Sequence, residues 1–324
     1  SRVWGKKPAS CRLFRVYRIR IIMAVQEVLR TRVYVDGYNF YYGCLKGTAD
    51  KWLDLPLLFE KILSQVNLPP PYSGVPAVFD KLAVKFFTAK IIESAAGADD
   101  SVSCQAQYHN ALRKSYPDEV EIIEGYYSIV PANVKVVDEE NPSKWPRDCP
   151  KTITVWKIEE KQSDVKLALS AVFDALSGEV DQVVIVTNDT DIEPAMRMIR
   201  EKTSVVVGLI IPTRNKVRQP NSSLTKLAHW SRAYITDGEL AACHFPRVIN
   251  KGKKPTVKPL SWYERPDLME KVQTEARTVL GRKAFKWLGQ PNADLDGQAP
   301  IDLVVDDVGA ELVLALLRRI AESS

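Results

Sequence analysis

The chain has 324 residues, 45 basic and 40 acidic, with 45% hydrophobic residues, which suits one large domain or two with a sizeable core. Seven basic residues (Arg2, Lys6, Lys7, Arg12, Arg15, Arg18, Arg20) and no acid lie in residues 1–22, so the remainder holds 38 basic against 40 acidic, and global basicity offers no case for nucleic acid. No stretch reaches the roughly 20 apolar residues of a membrane span. The five cysteines are scattered without a CxxC, which excludes a disulfide framework or zinc knuckle and fits a reduced, cytoplasmic setting.

In chain order, residues 1–22 read as a basic extension, disordered or not native, ahead of a domain start at Met23-Ala-Val-Gln. A strand is predicted over Arg32–Tyr38 and an amphipathic helix over Leu55–Val66, followed by a proline-dense loop at Pro69–Pro76. Strand Leu82–Ile92, helix Val102–Ser115 and strand Val120–Ile129 come next, with Gly125 a candidate bulge. A Pro- and charge-rich excursion, Val137–Pro150, leads to a short strand at Thr152–Ile158 and a helix at Asp164–Leu176 with apolar Val165, Leu167–Leu169, Val172 and Phe173. Strand Gln182–Thr187, helix Ile192–Lys202, strand Ser204–Ile211, helix Ser222–Trp230 and a strand at Ala233–Thr236 complete the alternation. That alternation predicts a three-layer α/β fold with a mostly parallel sheet. Asn250–Pro259 is basic and Pro/Gly-punctuated; it reads as a solvated tether or, alternatively, a backbone-contacting arm. Beyond it the chain reads as helical.

Two segments about 150 residues apart carry the chemistry: Val33-Tyr-Val-Asp-Gly-Tyr-Asn39 and Val184-Ile-Val-Thr-Asn-Asp-Thr-Asp191. Each is an apolar run ending in acid, the form of a strand buried on both faces. Ligands of open α/β sheets bind beyond such strand ends, and gathered carboxylates call for a hard cation between them. Each acid has a plainer reading. Asp36-Gly37 is a hairpin signal, though no alternation follows it. Thr190 with Glu193 fits a capping box that explains one acid but not Asp189, Asp191 and Asn188 together. Asp164 suits the first turn of any helix. Asn39 offers an amide near Asp36, Lys161 a charge near Asp164, and Tyr38, Phe40, Tyr41 and Tyr42 a stacking platform from which Phe40 is expected to be buried. Cys243-His244 lacks partners at ligand spacing and reads as packing.

The Val-Asp-Gly-Tyr-Asn-Phe opening, the Glu-Lys-Gln-Ser-Asp-Val-Lys-Leu-Ala middle motif and Thr-Asn-Asp-Thr-Asp-Ile-Glu-Pro followed by Val-Val-Val-Gly resemble the NYN (LabA-like) branch of the PIN-like nucleases over about Arg32–Ala242. The resemblance implies a PIN-like fold and a ribonuclease dependent on Mg2+ or Mn2+. Asp36, Asp164, Asp189 and Asp191 match the family's catalytic and metal-binding quartet, Asn39 its amide, and Asp174 a secondary acid. Asn39, Tyr38, Lys161 and Asn188 are carried as substrate-binding residues. The last motif departs from the family's small–x–Asp–Ser–Asp–Phe at Thr187, Thr190 and Ile192 without losing an acid. A haloacid-dehalogenase-like phosphatase is set aside because Tyr34 stands where a nucleophilic Asp is needed.

Over about Leu268–Glu322, Trp287-Leu288, Pro291-Asn292, Leu295, Gly297, Pro300 and the stripe Leu312/Val313/Leu316/Leu317/Ile320 resemble the toxin-binding domain of Xre/MbcA/ParS antitoxins, with Asp296 where that family tends to carry glycine. The expected organisation is therefore a basic extension (1–22), a nuclease-like domain (23–248), a linker (249–266) and a small all-α domain (267–324). The implied partners are RNA, a toxin and a second copy in a homodimer, with no membrane. The competing expectation is a non-catalytic antitoxin-like or RNA-binding protein.

Overall fold

The computed structural model describes residues 28–322; the predicted basic extension lies outside them. A seven-stranded sheet runs in the order β4-β3-β2-β1-β5-β6-β7. Its strands are β1 (Leu29–Asp36), β2 (Ala77–Ala89), β3 (Val120–Lys135), β4 (Thr152–Lys161), β5 (Gln182–Val186), β6 (Val206–Ile210) and β7 (Trp230–Arg232). All pair parallel except β3 with β4. The long helices are α1 (Leu55–Ser64), α2 (Ser101–Ser115), α3 (Ser163–Ser177), α4 (Glu193–Lys202), α5 (Pro266–Leu280) and α6 (Asp307–Glu322).

Strand alternation sorts the core into layers. Val33, Val35, Val184 and Val186 pack with Leu58, Phe59 and Leu112 on one face. Tyr34, Val183 and Ile185 pack with Leu167, Ala171 and Met196 on the other. From β1 the chain steps outward through β2 and β3, and from β5 through β6 and β7, so the direction of winding reverses between β1 and β5. A crevice forms at such a reversal, beyond the carboxyl ends of the strands.

Several expectations shift. β7 covers Trp230–Arg232 rather than Ala233–Thr236, and the helix before it stops at Leu227. β3 and β4 are longer than predicted and form an antiparallel arm. Gly125 is no bulge: it pairs with Ala89, and a Cβ there would strike the Lys161 carbonyl and the Ser163 hydroxyl. On α3 Leu167, Ala171 and Ala175 are buried in the core with Ala168 and Val172 packed partly against it, whereas Val165, Leu169 and Phe173 are 62–66% exposed.

The predicted tether is also corrected. Thr256–Val257 pairs with Val248–Ile249, Thr256 and Lys258 are buried, and Lys114 and Lys251 tie the segment to α2. Pro/Lys-rich composition hid two strand residues that complete a hairpin. The third core joins Val248 and Tyr263 to Met269, Val272, Leu288, Val313 and Leu317, so the C-terminal packing unit starts upstream of residue 267. Its α6 stripe packs against its own helices through Val313, Leu316 and Leu317, while Val305, Val308 and Leu312 stay 50–80% exposed.

Candidate functional site

β1 delivers Asp36 to the crevice, 6% exposed. The chain does not turn into a hairpin there; Gly37 opens a one-turn helix, Gly37–Phe40, capped by Asp36. A Cβ at Gly37 would sit 2.5 Å from the Phe87 carbonyl oxygen, so glycine is needed for β1 to pass β2 this closely. Asp36 accepts from the Asn39 backbone N–H at 2.9 Å and the Thr187 hydroxyl at 2.7 Å. Thr187 Oγ1 in turn accepts from the Asp189 N–H at 3.1 Å. This one hydroxyl therefore joins the two acidic segments. Burial pushes the Asp36 carboxyl up, against the lowering of those two donors, and the Glu160 and Asp189 charges push it up further.

Beyond β5, Asp189 caps a short turn by accepting the Asp191 N–H at 3.0 Å. The expected Thr190–Glu193 capping box does not form, and Glu193 pairs with Arg197 instead. Asp164 enters from the first turn of α3, after Gln162 turns the chain at φ +78°. Its carboxyl is pushed up to about 6, first by burial and then by the charges of Asp36, Asp189 and Asp191. Asp164 thus lies near enough to the β1/β5 reversal to feel the charges of Asp36, Asp189 and Asp191.

A fifth carboxylate, Glu160, joins them. It is held by the Ser163 hydroxyl, and burial and the Asp164 charge push it up. It is not among the acids expected from the sequence, because the predicted strand ends at Ile158 and β4 runs on to Lys161. Extended to Lys161, β4 puts Glu159 and Lys161 on one face and Glu160 on the other. Lys161 pairs with Glu159 at 2.9 Å, so it balances its neighbour and not the cleft.

Three more assignments change. Asp174 lies ten residues along α3 from Asp164, about 15 Å at helical rise. It is buried with Arg32 at 2.6 Å, Lys85 at 2.8 Å and Tyr34 at 2.6 Å, and it belongs to that ion network rather than to the acidic cleft. Asn188 donates to Gln219 O and accepts from Asn221 N, pinning a loop. Asn39 acts on Asp36 through its backbone. Tyr38 is 47% exposed and packs tilted against Tyr42 with ring centroids 4.5 Å apart, while Phe40 is buried as expected. Cys243 is buried and His244 bonds Asp50 at 2.9 Å, so that pair packs.

The all-oxygen donor set is the kind that hard cations prefer. Among the described residues, no three Asp, Glu, His or Cys side chains close to ligation distance around one point. The cluster fits an ion held by one or two carboxylates with water completing its shell, as is usual for Mg2+. Beside the cleft, sharing Gly37, Tyr38 and Glu160 with it, opens a cavity of about 550 Å3 walled by aromatic rings.

Among the described residues no helix is long and apolar enough to cross a membrane. A relative from Pseudomonas putida (strain DSM 28022 / S16), named 6-hydroxy-3-succinoylpyridine 3-monooxygenase HspA, is 54% identical over 293 residues, covering 89% of this chain and 93% of its own. A crystal structure of a protein of unknown function from Vibrio parahaemolyticus RIMD 2210633 overlaps 66% of this chain and 96% of its own at 17% identity and a TM-score of 0.36. Residues 275–322 match the antitoxin Xre/MbcA/ParS C-terminal toxin-binding domain. Residues 30–229 match the NYN domain, and the chain belongs to the NYN family.

Proposed function

We propose that the cleft at the β1/β5 reversal is a reaction centre that uses Mg2+ or Mn2+ to hydrolyse RNA phosphodiester bonds. The observation that carries this reading is the placement of Asp36 and Asp189 beyond the ends of β1 and β5, joined through the Thr187 hydroxyl, with Asp164 entering from the first turn of α3. A divalent cation there lowers the pKa of water and stabilises the charge developing on phosphoryl oxygens. One or two of the carboxylates of Asp36, Asp189 and Asp191 would hold the ion, with water completing its shell. Asp164 and Glu160, both shifted upward, are placed to take the proton of the attacking water, since a general base works best with a pKa near the operating pH. The Tyr38–Tyr42 pair offers the stacking platform a single strand needs. Through the Val305, Val308 and Leu312 patch, the C-terminal unit meets a protein partner of the toxin class.

The test is cleavage of varied RNAs with Mn2+ or Mg2+ by the wild type and by an Asp36→Asn/Asp189→Asn variant. Loss of more than about 100-fold in the variant is expected when metal-held negative charge is removed from the cleft. Equal cutting by both, or no cutting by either, overturns the reading.

The full-length relative supports a second reading, in which the same site oxygenates a hydroxypyridine bearing a four-carbon keto acid. A monooxygenase puts one atom of dioxygen into its substrate and reduces the other to water, so a two-electron donor is also required. Uptake of dioxygen that depends on 6-hydroxy-3-succinoylpyridine and a reduced nicotinamide, without RNA cleavage, would establish this reading in place of the first.

A further inference from the structure

We propose that the aromatic cavity beside the acidic cleft is a binding site for a planar, hydroxylated nitrogen heterocycle carrying an anionic arm. Its volume of about 550 Å3 lies in the range of small-molecule sites. Three segments far apart in sequence build its wall. Phe86 comes from β2, Tyr108 and His109 from α2, and Trp262 from the connector before α5. Tyr108 and Phe86 meet edge to face at 6.4 Å, and Tyr108 and Trp262 lie 6.0 Å apart. Rings spaced this way leave faces and edges for another ring to stack against.

The polar groups select the ring and its charge. His109 lines the cavity almost fully buried, with Nδ1 3.7 Å from Glu124 Oε1; burial pushes its imidazole down to about 4, so at physiological pH the ring is neutral, with one N–H and one lone pair between its two nitrogens. At the rim, Lys51 sits 5.9 Å above the Trp262 ring and Lys46 4.5 Å above the Tyr42 ring. Two ammonium groups over aromatic faces favour a ligand that is flat and negatively charged. Trp262 is fixed in place, because its neighbour Ser261 bonds Asp100 and approaches Cys104 Sγ at 3.6 Å. Gly37 and Tyr38, next to Asp36, and Glu160 line the cavity together with Lys46 and Lys51, so a ring seated here lies beside the acidic cleft with its anionic arm toward the rim lysines and away from the carboxylates.

This inference deepens the proposed reaction centre and rests on it only for orientation. The same chemistry belongs to a nucleobase of RNA and to a hydroxypyridine acid, and the two arms of the test separate them. Calorimetric titration of the full chain, in EDTA, uses uridine monophosphate in one arm and 6-hydroxynicotinate in the other, with cyclohexanecarboxylate as the non-aromatic control. Saturable binding of either heterocycle and none of the control is expected, weakened at least tenfold in Trp262→Ala. Lys51→Met, a rim change that cannot unfold the wall, is expected to weaken the charged ligand several-fold while leaving neutral 2-hydroxypyridine unaffected. Binding of the nucleotide alone assigns the cavity to a base, and binding of the pyridine alone to a small substrate. Absence of binding in both arms, equal binding of the control, or binding unchanged in both variants overturns the inference. Asp164→Asn is expected to leave this titration intact even where it abolishes cleavage, so failure of the acidic centre and failure of the cavity are told apart.

Discussion

At Asp164 burial and three neighbouring charges push in the same direction, placing its carboxyl near 6. In the unfolded chain an Asp titrates near 4. The folded state therefore holds the extra proton between those values, and this contribution to stability is lost as pH rises through about 6. Asp164→Asn removes the repulsion, so in EDTA its melting temperature is expected to exceed that of the wild type at pH 7.5 and to match it near pH 4. A lower melting temperature at pH 7.5 would show that the carboxylate is stabilised by something other than the quartet. Thr187 illustrates what a sequence conceals. A β-branched residue ending a buried run reads as core, yet its hydroxyl links Asp36 to the Asp189 backbone. Thr187→Val keeps the shape but leaves buried groups without their partner, and an unmet buried group costs about 1–3 kcal/mol. Urea unfolding should register that loss; an unchanged midpoint would mean the hydroxyl contributes nothing.

Along α3, Asp164 and Asp174 show how two acids on one helix part in role. The first turn opens on the cleft, whereas Asp174 closes a buried network with Arg32, Lys85 and Tyr34. Removing one partner of a buried charge cluster costs about 3–5 kcal/mol because the remaining charges are stranded. Asp174→Ala is expected to lose that much stability in chemical denaturation while divalent-cation binding at the cleft persists in the folded fraction. Loss of cation binding without loss of stability would return Asp174 to the site. Periodicity could not separate these cases, because spacing along a helix gives the face and not what covers it. The strand-end acids were legible since apolar runs ending in Asp locate themselves at a sheet's carboxyl edge. Glu160 was not, because its assignment depends on where β4 ends, and alternation reverses with a single residue.

For the molecule as a whole, the position of the cleft follows from strand order. Winding outward from β1 in one direction and from β5 in the other leaves a gap above their ends, into which Asp36, Asp189 and Asp191 fall and Asp164 descends from α3. The three-layer fold was readable from alternating elements, and the placement of Asp36 and Asp189 beyond buried strands from the apolar runs before them. The aromatic cavity was not readable, since Phe86, Tyr108 and Trp262 converge only in the folded chain. Nor was the connector, whose lysine- and proline-rich composition masks a hairpin that joins the C-terminal core to the α/β unit.

That the acids gathered at the β1/β5 reversal hold a divalent cation is most directly tested by counting bound Mn2+. The electron paramagnetic resonance signal of free Mn2+ should fall saturably on titration with the wild type and stay near its protein-free intensity on titration with the Asp36→Asn/Asp189→Asn variant, folded as judged by circular dichroism. Equal depletion of the signal by both proteins, or none by either, would contradict the account.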